Sequence, residues 1–241
     1  MVILISLGTF LSTFLGGLMA LRFKDKLHLI LGFSAGAVIG VVFFDLLPES
    51  INLAGAIFSA DEVLAFSALG FVVYLILDRI ISLHHYHGDN HENSEQPGRG
   101  KLGAGSLSFH SLLDGMAIGF AFQVSPAVGA VVTTAVLIHD FSDGINTVSM
   151  ILKNGGDRQL AFKWLFVDAL APVVGVLITL FFKLPAVGLG VTLALFSGFF
   201  LYIGASDLLP ESHHNHPTKW TTMMTVLGMA VLYIVIKLAG F

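Results

Sequence analysis

Hydrophobic positions along this chain fall in runs of about 20 residues separated by short polar breaks. At about 1.5 Å of rise per residue, such a run crosses the roughly 30 Å hydrocarbon core of a bilayer as a helix. Eight runs are predicted as spanning helices, over residues 2–21, 28–48, 63–83, 102–123, 127–152, 161–183, 187–209 and 219–239. The first has no basic flank and no small-residue cleavage site, and seven more follow, so it reads as a retained span rather than a secretory signal. The predicted fold class is an all-α polytopic membrane protein, with residues 1–241 forming one membrane domain.

The cations in the polar breaks give the runs a direction. One set of alternate loops holds Arg22, Lys24 and Lys26, then Arg79, Arg99 and Lys101, then Lys153, Arg158 and Lys163, then Lys219; the other side receives Lys183 and Lys237. Cytoplasmic loops carry the excess of Lys and Arg. An even number of spans with both termini extracytoplasmic is therefore expected, in an integral protein of the plasma membrane. The longest break, 84–101, is then cytoplasmic and histidine-rich. His84, His85, His87 and His91 are candidates for loose metal capture, and His213, His214 and His216 form a second cluster on the same side. The competing reading of both clusters is a solvated polar linker.

Composition narrows the function. The chain is 55% hydrophobic and only 12% charged, with a mean hydropathy of +0.86, against about 25% charged residues in average soluble sequences. That argues against a soluble enzyme. A net charge of −4 without a basic stripe gives nucleic acid nothing to bind. There is no cysteine, so any metal must sit on nitrogen and oxygen donors.

Two repeats carry the candidate chemistry. Asp-Leu-Leu-Pro-Glu-Ser occurs at 45–50 and at 207–212. Each copy is expected to close a span, on opposite membrane faces as an inverted repeat requires, which sets Asp45 and Glu49, and Asp207 and Glu211, at helix C-termini that disfavour negative charge. The plainer alternative is a proline stop beside solvated acids. The second repeat is His-x-x-x-Asp-Gly, with His110, Asp114 and Gly115 in span four and His139, Asp143 and Gly144 in span five. Four-residue spacing puts each His and Asp on one helix face. Counted from Lys101, His110 lies about 13 Å deep and Asp114 about 20 Å; counted from Lys153, Asp143 lies about 15 Å deep and His139 about 21 Å. The two pairs thus cross, bringing four N/O ligands to the bilayer midplane with Ser111 and Asp140 one residue aside. Ionisable groups at that depth each cost at least about 2.5 to 3.5 kcal/mol, and a divalent cation compensates by neutralising carboxylates and accepting neutral imidazole. A proton relay or metal-free His-Asp pairs are the alternatives. In span six Asp168 precedes Pro172, whose break in the helix suits a cavity border, so Asp168 is a further candidate ligand. Gly115-x-x-x-Gly119 permits close helix approach.

At these motifs the sequence resembles the ZIP family of zinc and iron transporters, over nearly the whole chain. His110, Ser111, Asp114 and Gly115 match the family's His-Asn-x-x-(Glu/Asp)-Gly except for Ser at the Asn position; His139, Asp140, Asp143 and Gly144 match the span-five pattern. Ala171-Pro172 stands where two-metal members often have Glu-Pro, and Leu113-Asp114 and Ser142-Asp143 replace Pro-Glu steps. The resemblance implies one principal metal site, with Asp168 compensating from a turn earlier. It further implies that Glu49 and Glu211, with Asp45, Asp207 and His213, border the outer entrance and the inner exit. Spans one, four, five and six would form a transport bundle against a scaffold of the other four, moving divalent cations into the cytoplasm by alternating access. Zinc is the first expectation, with iron, manganese, cobalt and cadmium suited to the same donors. No organic cofactor is expected; the partners are the metal cations and the bilayer, and a homodimer is compatible with the sequence. The competing classes are an intramembrane metal-dependent hydrolase, which lacks a His-Glu-x-x-His motif here, and a proton-coupled carrier of an organic substrate.

Because the loop histidines lie outside the membrane path, replacing His84, His85, His87 and His91 together by Ala is expected to alter metal capture while leaving uptake measurable. Complete loss of uptake in the folded quadruple variant would place them in the path instead.

Overall fold

A computed structural model describes residues 2–21, 27–83, 97–214 and 219–238, which are helices and the turns between them. The α-helices are α1 (Val2–Ala20), α2 (Leu27–Val41), α3 (Leu47–Ala54), α4 (Ala60–Leu83), α5 (Pro97–Val124), α6 (Pro126–Lys153), α7 (Arg158–Thr179), α8 (Ala186–Tyr202), α9 (Leu209–His214) and α10 (Lys219–Leu238). Among the described residues, six helical segments are long and apolar enough to cross a membrane: Leu29–Ala54, Ala60–Ile80, Pro126–Leu152, Arg158–Thr179, Ala186–Ser206 and Lys219–Leu238. The other two expected spans are helices as well. The apolar part of α1, Ile5–Ala20, is shorter, and α5 is diluted by glycines, serines, His110 and Asp114.

The ends of these helices follow from local chemistry. Ser125 caps α6 by accepting from the Val128 N–H, with Pro126 at the first helical position where a missing N–H costs nothing. Asp157 caps α7 by accepting from the Leu160 N–H, and Gly155, at φ 80°, makes the left-handed turn between the two. At the head of α4, Glu62 accepts from both the N–H and the hydroxyl of Ser59.

The hexapeptide repeat does not end its helices, contrary to the sequence expectation. In both copies the helix widens into a π turn, at Val42–Leu46 and at Ile203–Leu208, and then continues as α3 and α9. The Leu47 N–H bonds the Val42 carbonyl and the Leu209 N–H bonds the Gly204 carbonyl, each five residues back. The wider turn lets the rings of Pro48 and Pro210 clear the carbonyls they would otherwise strike, so proline sits in the first turn of a new α segment, where it is tolerated. Asp45 and Glu49 therefore lie within a continuing helix rather than at a C-terminus. The helix changes neighbour at each widening: α2 packs on α10 and α3 on α8, while α8 packs on α4 and α9 on α2.

Two groups of helices result. In one, α1 lies parallel to α6, and α5 parallel to α7; in the other, α2 lies parallel to α10, and α4 parallel to α8. Each parallel pair is joined by two glycines, one per helix, each against the partner's backbone carbonyl: Gly16 on Phe141 and Gly144 on Thr13, Gly115 on Pro172 and Gly175 on Leu112, Gly36 on Thr225 and Gly228 on Phe33, Gly70 on Leu195 and Gly198 on Ser67. A Cβ at any of these positions would overlap backbone, which is how small residues draw membrane helices together. The last residue of each His-x-x-x-Asp-Gly motif is one of these contacts. Between the groups the closest packing is that of α2 on α6 and of α5 on α8.

Gly115→Ala is expected to destabilise the protein by about 1–3 kcal/mol through overpacking against Pro172. Gly105→Ala, whose Cβ would make ordinary contact with the Trp164 ring at 3.6 Å, should be neutral. Equal melting temperatures for the two variants in detergent would contradict this account of the α5/α7 contact.

Candidate metal centre

Helices α5 and α6 are antiparallel: Gly100 lies against Ile151, His110 beside Asp143, Asp114 beside His139, and Gly129 against Phe122. Their two His-x-x-x-Asp faces meet, as the depth count requires. One ligand atom from each of His110, Asp114, His139 and Asp143 lies within 4.8 Å of all the others, and all four residues are buried. Oδ2 of Asp114 stands between two imidazoles, 3.2 Å from Nε2 of His110 and 3.1 Å from Nε2 of His139. Oδ2 of Asp143 is 3.5 Å from the first of these nitrogens and 3.9 Å from the second.

The hydrogen bonding identifies what this cluster lacks. Nδ1 of His139 lies 3.0 Å from the Ala135 carbonyl; a carbonyl cannot donate, so Nδ1 carries the proton. Nε2 then faces the Asp114 carboxylate, and two lone pairs at 3.1 Å repel unless a proton or a cation lies between them. Both ring nitrogens of His110, Oδ1 of Asp114, both carboxylate oxygens of Asp140 and Oδ2 of Asp143 are buried without a hydrogen-bond partner. Buried polar atoms are nearly always paired. Two of these orphans, Nε2 of His110 and Oδ2 of Asp143, lie 3.5 Å apart beside Oδ2 of Asp114; unpaired donors so placed favour a bound cation over a completed hydrogen-bond network, and neutral imidazole with carboxylate suits a divalent transition metal.

The remaining expected ligands divide. Asp140 is fully buried with Oδ1 3.8 Å from Nε2 of His139, at the margin of the four-atom group. Asp168 is also fully buried, but both its oxygens are engaged, accepting from Ser111 Oγ at 2.8 Å and from Thr147 Oγ1 at 2.8 Å. Ser111 is thus turned toward Asp168 rather than into the four-atom group. Sequence reasoning missed Thr147, although it continues the His139, Asp143 spacing by one more turn of α6. It also missed the aromatic walls. The Tyr74 ring of α4 is 6.1 Å from His110, and the Phe200 ring of α8 is 5.9 Å from His139.

Away from the centre, Asp45 is buried in the first π turn with Oδ2 unpartnered, and Glu49 is half-buried one turn on. Asp207 lies in the second π turn, and Glu211 and His213 in α9; their side chains are outside what is described. His84, His85, His87 and His91 lie outside the described residues.

The family model described as ZIP Zinc transporter matches residues 104–236, more than half of the chain and both metal motifs. The zinc transporter ZupT of Corynebacterium aurimucosum is 24% identical over 247 residues, covering 95% of this chain and 93% of that protein. Zinc transporter ZIP13 of Pongo abelii is 25% identical over 87% of this chain and 65% of its own length. Zinc transporter zipt-7.1 of Caenorhabditis briggsae is 26% identical over 52% of this chain, which spans only 36% of that protein. With the four-ligand crossing and the extent of the family match together, the chain belongs to the ZIP zinc transporter family.

Proposed function

We propose that this protein carries divalent transition-metal cations, zinc first among them, across the membrane and into the cytoplasm, with His110, Asp114, His139 and Asp143 holding the ion midway. The observation that carries this is the buried meeting of two imidazoles and two carboxylates within 4.8 Å on antiparallel helices. Asp140 offers a further oxygen from the margin, and Asp168, fixed by Ser111 and Thr147, supplies negative potential nearby. One ion position is expected. The hydrolase alternative finds no support among the relatives, which are transporters.

All eight helical segments of the sequence reading are taken as spans, since α1 and α5 pack as full members of the group that contains α6 and α7. The inverted repeat relates the first three spans to the last three and span four to span five. This exchange converts the α1/α6 contact into the α7/α5 contact, and the α2/α10 contact into the α8/α4 contact. With both termini extracytoplasmic in a plasma membrane, Asp45 and Glu49 border the entrance and Asp207, Glu211 and His213 the exit, and the 84–101 histidines collect metal on the cytoplasmic side. The site is enclosed in the arrangement described, so transport proceeds by alternating exposure of the ion to either face.

Ala at any one of the four ligands is expected to reduce Zn²⁺ binding at least about tenfold, and His110→Ala combined with Asp143→Ala should cost far less than the sum of the singles, because residues acting on one ion couple. Titration calorimetry on the purified variants and uptake into proteoliposomes across a panel of Zn²⁺, Fe²⁺, Mn²⁺, Co²⁺ and Cd²⁺ would test it; wild-type binding in two of the singles would remove the site.

Protons compete with metal for imidazole, whose ordinary pKa is about 6.5. Metal binding therefore releases protons, and affinity should fall as pH drops from 7 to 5. An unchanged affinity over that interval would exclude His110 and His139 as ligands.

A further inference from the structure

The four ligands are at most 3% exposed, so an ion enters or leaves only when helices move. Within each of the two helix groups the backbones touch through paired glycines, whereas the boundary between the groups is more sparsely packed. At that boundary α2 meets the ligand-bearing helix α6, and a polar contact lies among apolar neighbours. Ser34 Oγ of α2 is 2.8 Å from Ser142 Oγ and 3.1 Å from the Ile138 carbonyl of α6, and both serines are fully buried.

Proton counting orders this contact. A carbonyl only accepts, so Ser34 gives its single hydroxyl proton to Ile138; the Ser142 hydroxyl then donates to Ser34. Both bonds form at once only in this sense. The two anchor points on α6, residues 138 and 142, each immediately precede a ligand, His139 and Asp143. A shift of α6 along α2 breaks both bonds together, and neither serine is among the atoms that would hold the ion.

We propose that Ser34 is a positioning residue of the transport cycle: through Ser142 and the Ile138 carbonyl it clasps α6 to the α2 group in the enclosed arrangement and slows opening of the site. The inference rests on the transport reading given above. A neutral hydrogen bond shifts a two-state balance by a factor of about five. Because the clasp acts whether or not an ion is bound, its removal favours the open state equally in both cases, so capture and release quicken together while their ratio, the affinity, stays the same. A residue that merely supported ligand geometry would change the affinity.

The test is stopped-flow measurement of Zn²⁺ capture, and of its release to a chelator, on the full chain in detergent, with equilibrium Zn²⁺ affinity measured in parallel. Wild type is compared with Ser34→Ala, Ser142→Ala and the double variant. Ser142→Ala, which removes one of the two bonds, is expected to speed capture and release about fivefold and Ser34→Ala, which removes both, by more, each with affinity within about twofold of wild type, and the double should be no faster than Ser34→Ala because that variant already breaks both bonds. Unchanged rates overturn the proposal, as do accelerated release with a matching loss of affinity, or additive effects in the double. Should Ser34→Ala fail to fold, Ser142→Ala alone reads the same outcomes. A wild-type protein that binds no Zn²⁺ overturns the transport reading, and the clasp with it.

Discussion

Two carboxylates and two imidazoles held within a few ångströms, far from water, are tolerable only with positive charge among them. Asp114 illustrates the constraint most sharply, since one of its oxygens faces two ring nitrogens while the other has no partner. Much of the local architecture serves to keep that demand unmet by protein. The Ala135 carbonyl fixes the tautomer of His139, and the hydroxyls of Ser111 and Thr147 occupy Asp168. Side chains that could have neutralised the cluster, lysine or arginine, are absent from its contacts among the described residues. The cluster is thereby left with buried donors that only a positive charge from outside the protein would complete.

The same motif that supplies the four clustered side chains also sets the packing around them. Gly115 and Gly144, each directly after an aspartate of the cluster, bring α7 and α1 against the backbones of α5 and α6. A cluster carboxylate and the helix contact that steadies it are thereby encoded within six residues, twice. Chemistry and assembly cannot drift apart without breaking the repeat. The corresponding glycines of the second group, Gly36, Gly70, Gly198 and Gly228, hold no chemistry, and there the contact alone remains.

Much of the site was legible because it is periodic. Four-residue spacing, two copies and a depth count were enough to predict which His would face which Asp, and the structure pairs His110 with Asp143 and Asp114 with His139. What could not be read was lateral: the Asp168 partner of Thr147 on α7, Tyr74 and Phe200 on the imidazoles, and Ser34 on α6 come from helices whose azimuth no linear pattern states. The eight apolar runs located every long helix within a few residues. They failed at the Asp-Leu-Leu-Pro-Glu-Ser copies, where proline suggested a stop and the backbone instead took one residue extra into the turn.

That extra residue has a rotational meaning. An α-helix advances about 100° per residue, so accommodating one more residue in a turn offsets every later side chain by about that angle from the stripe it would have occupied. The chain from Leu27 to Ala54 therefore presents one stripe to α10 before the widening and a different one to α8 after it, and the chain from Ala186 to His214 does the same with α4 and α2. A single continuous rod thus serves two neighbours that a regular helix of its length could not face in turn. Deleting one residue from either widening would not shorten the rod so much as twist its far end away from its partner.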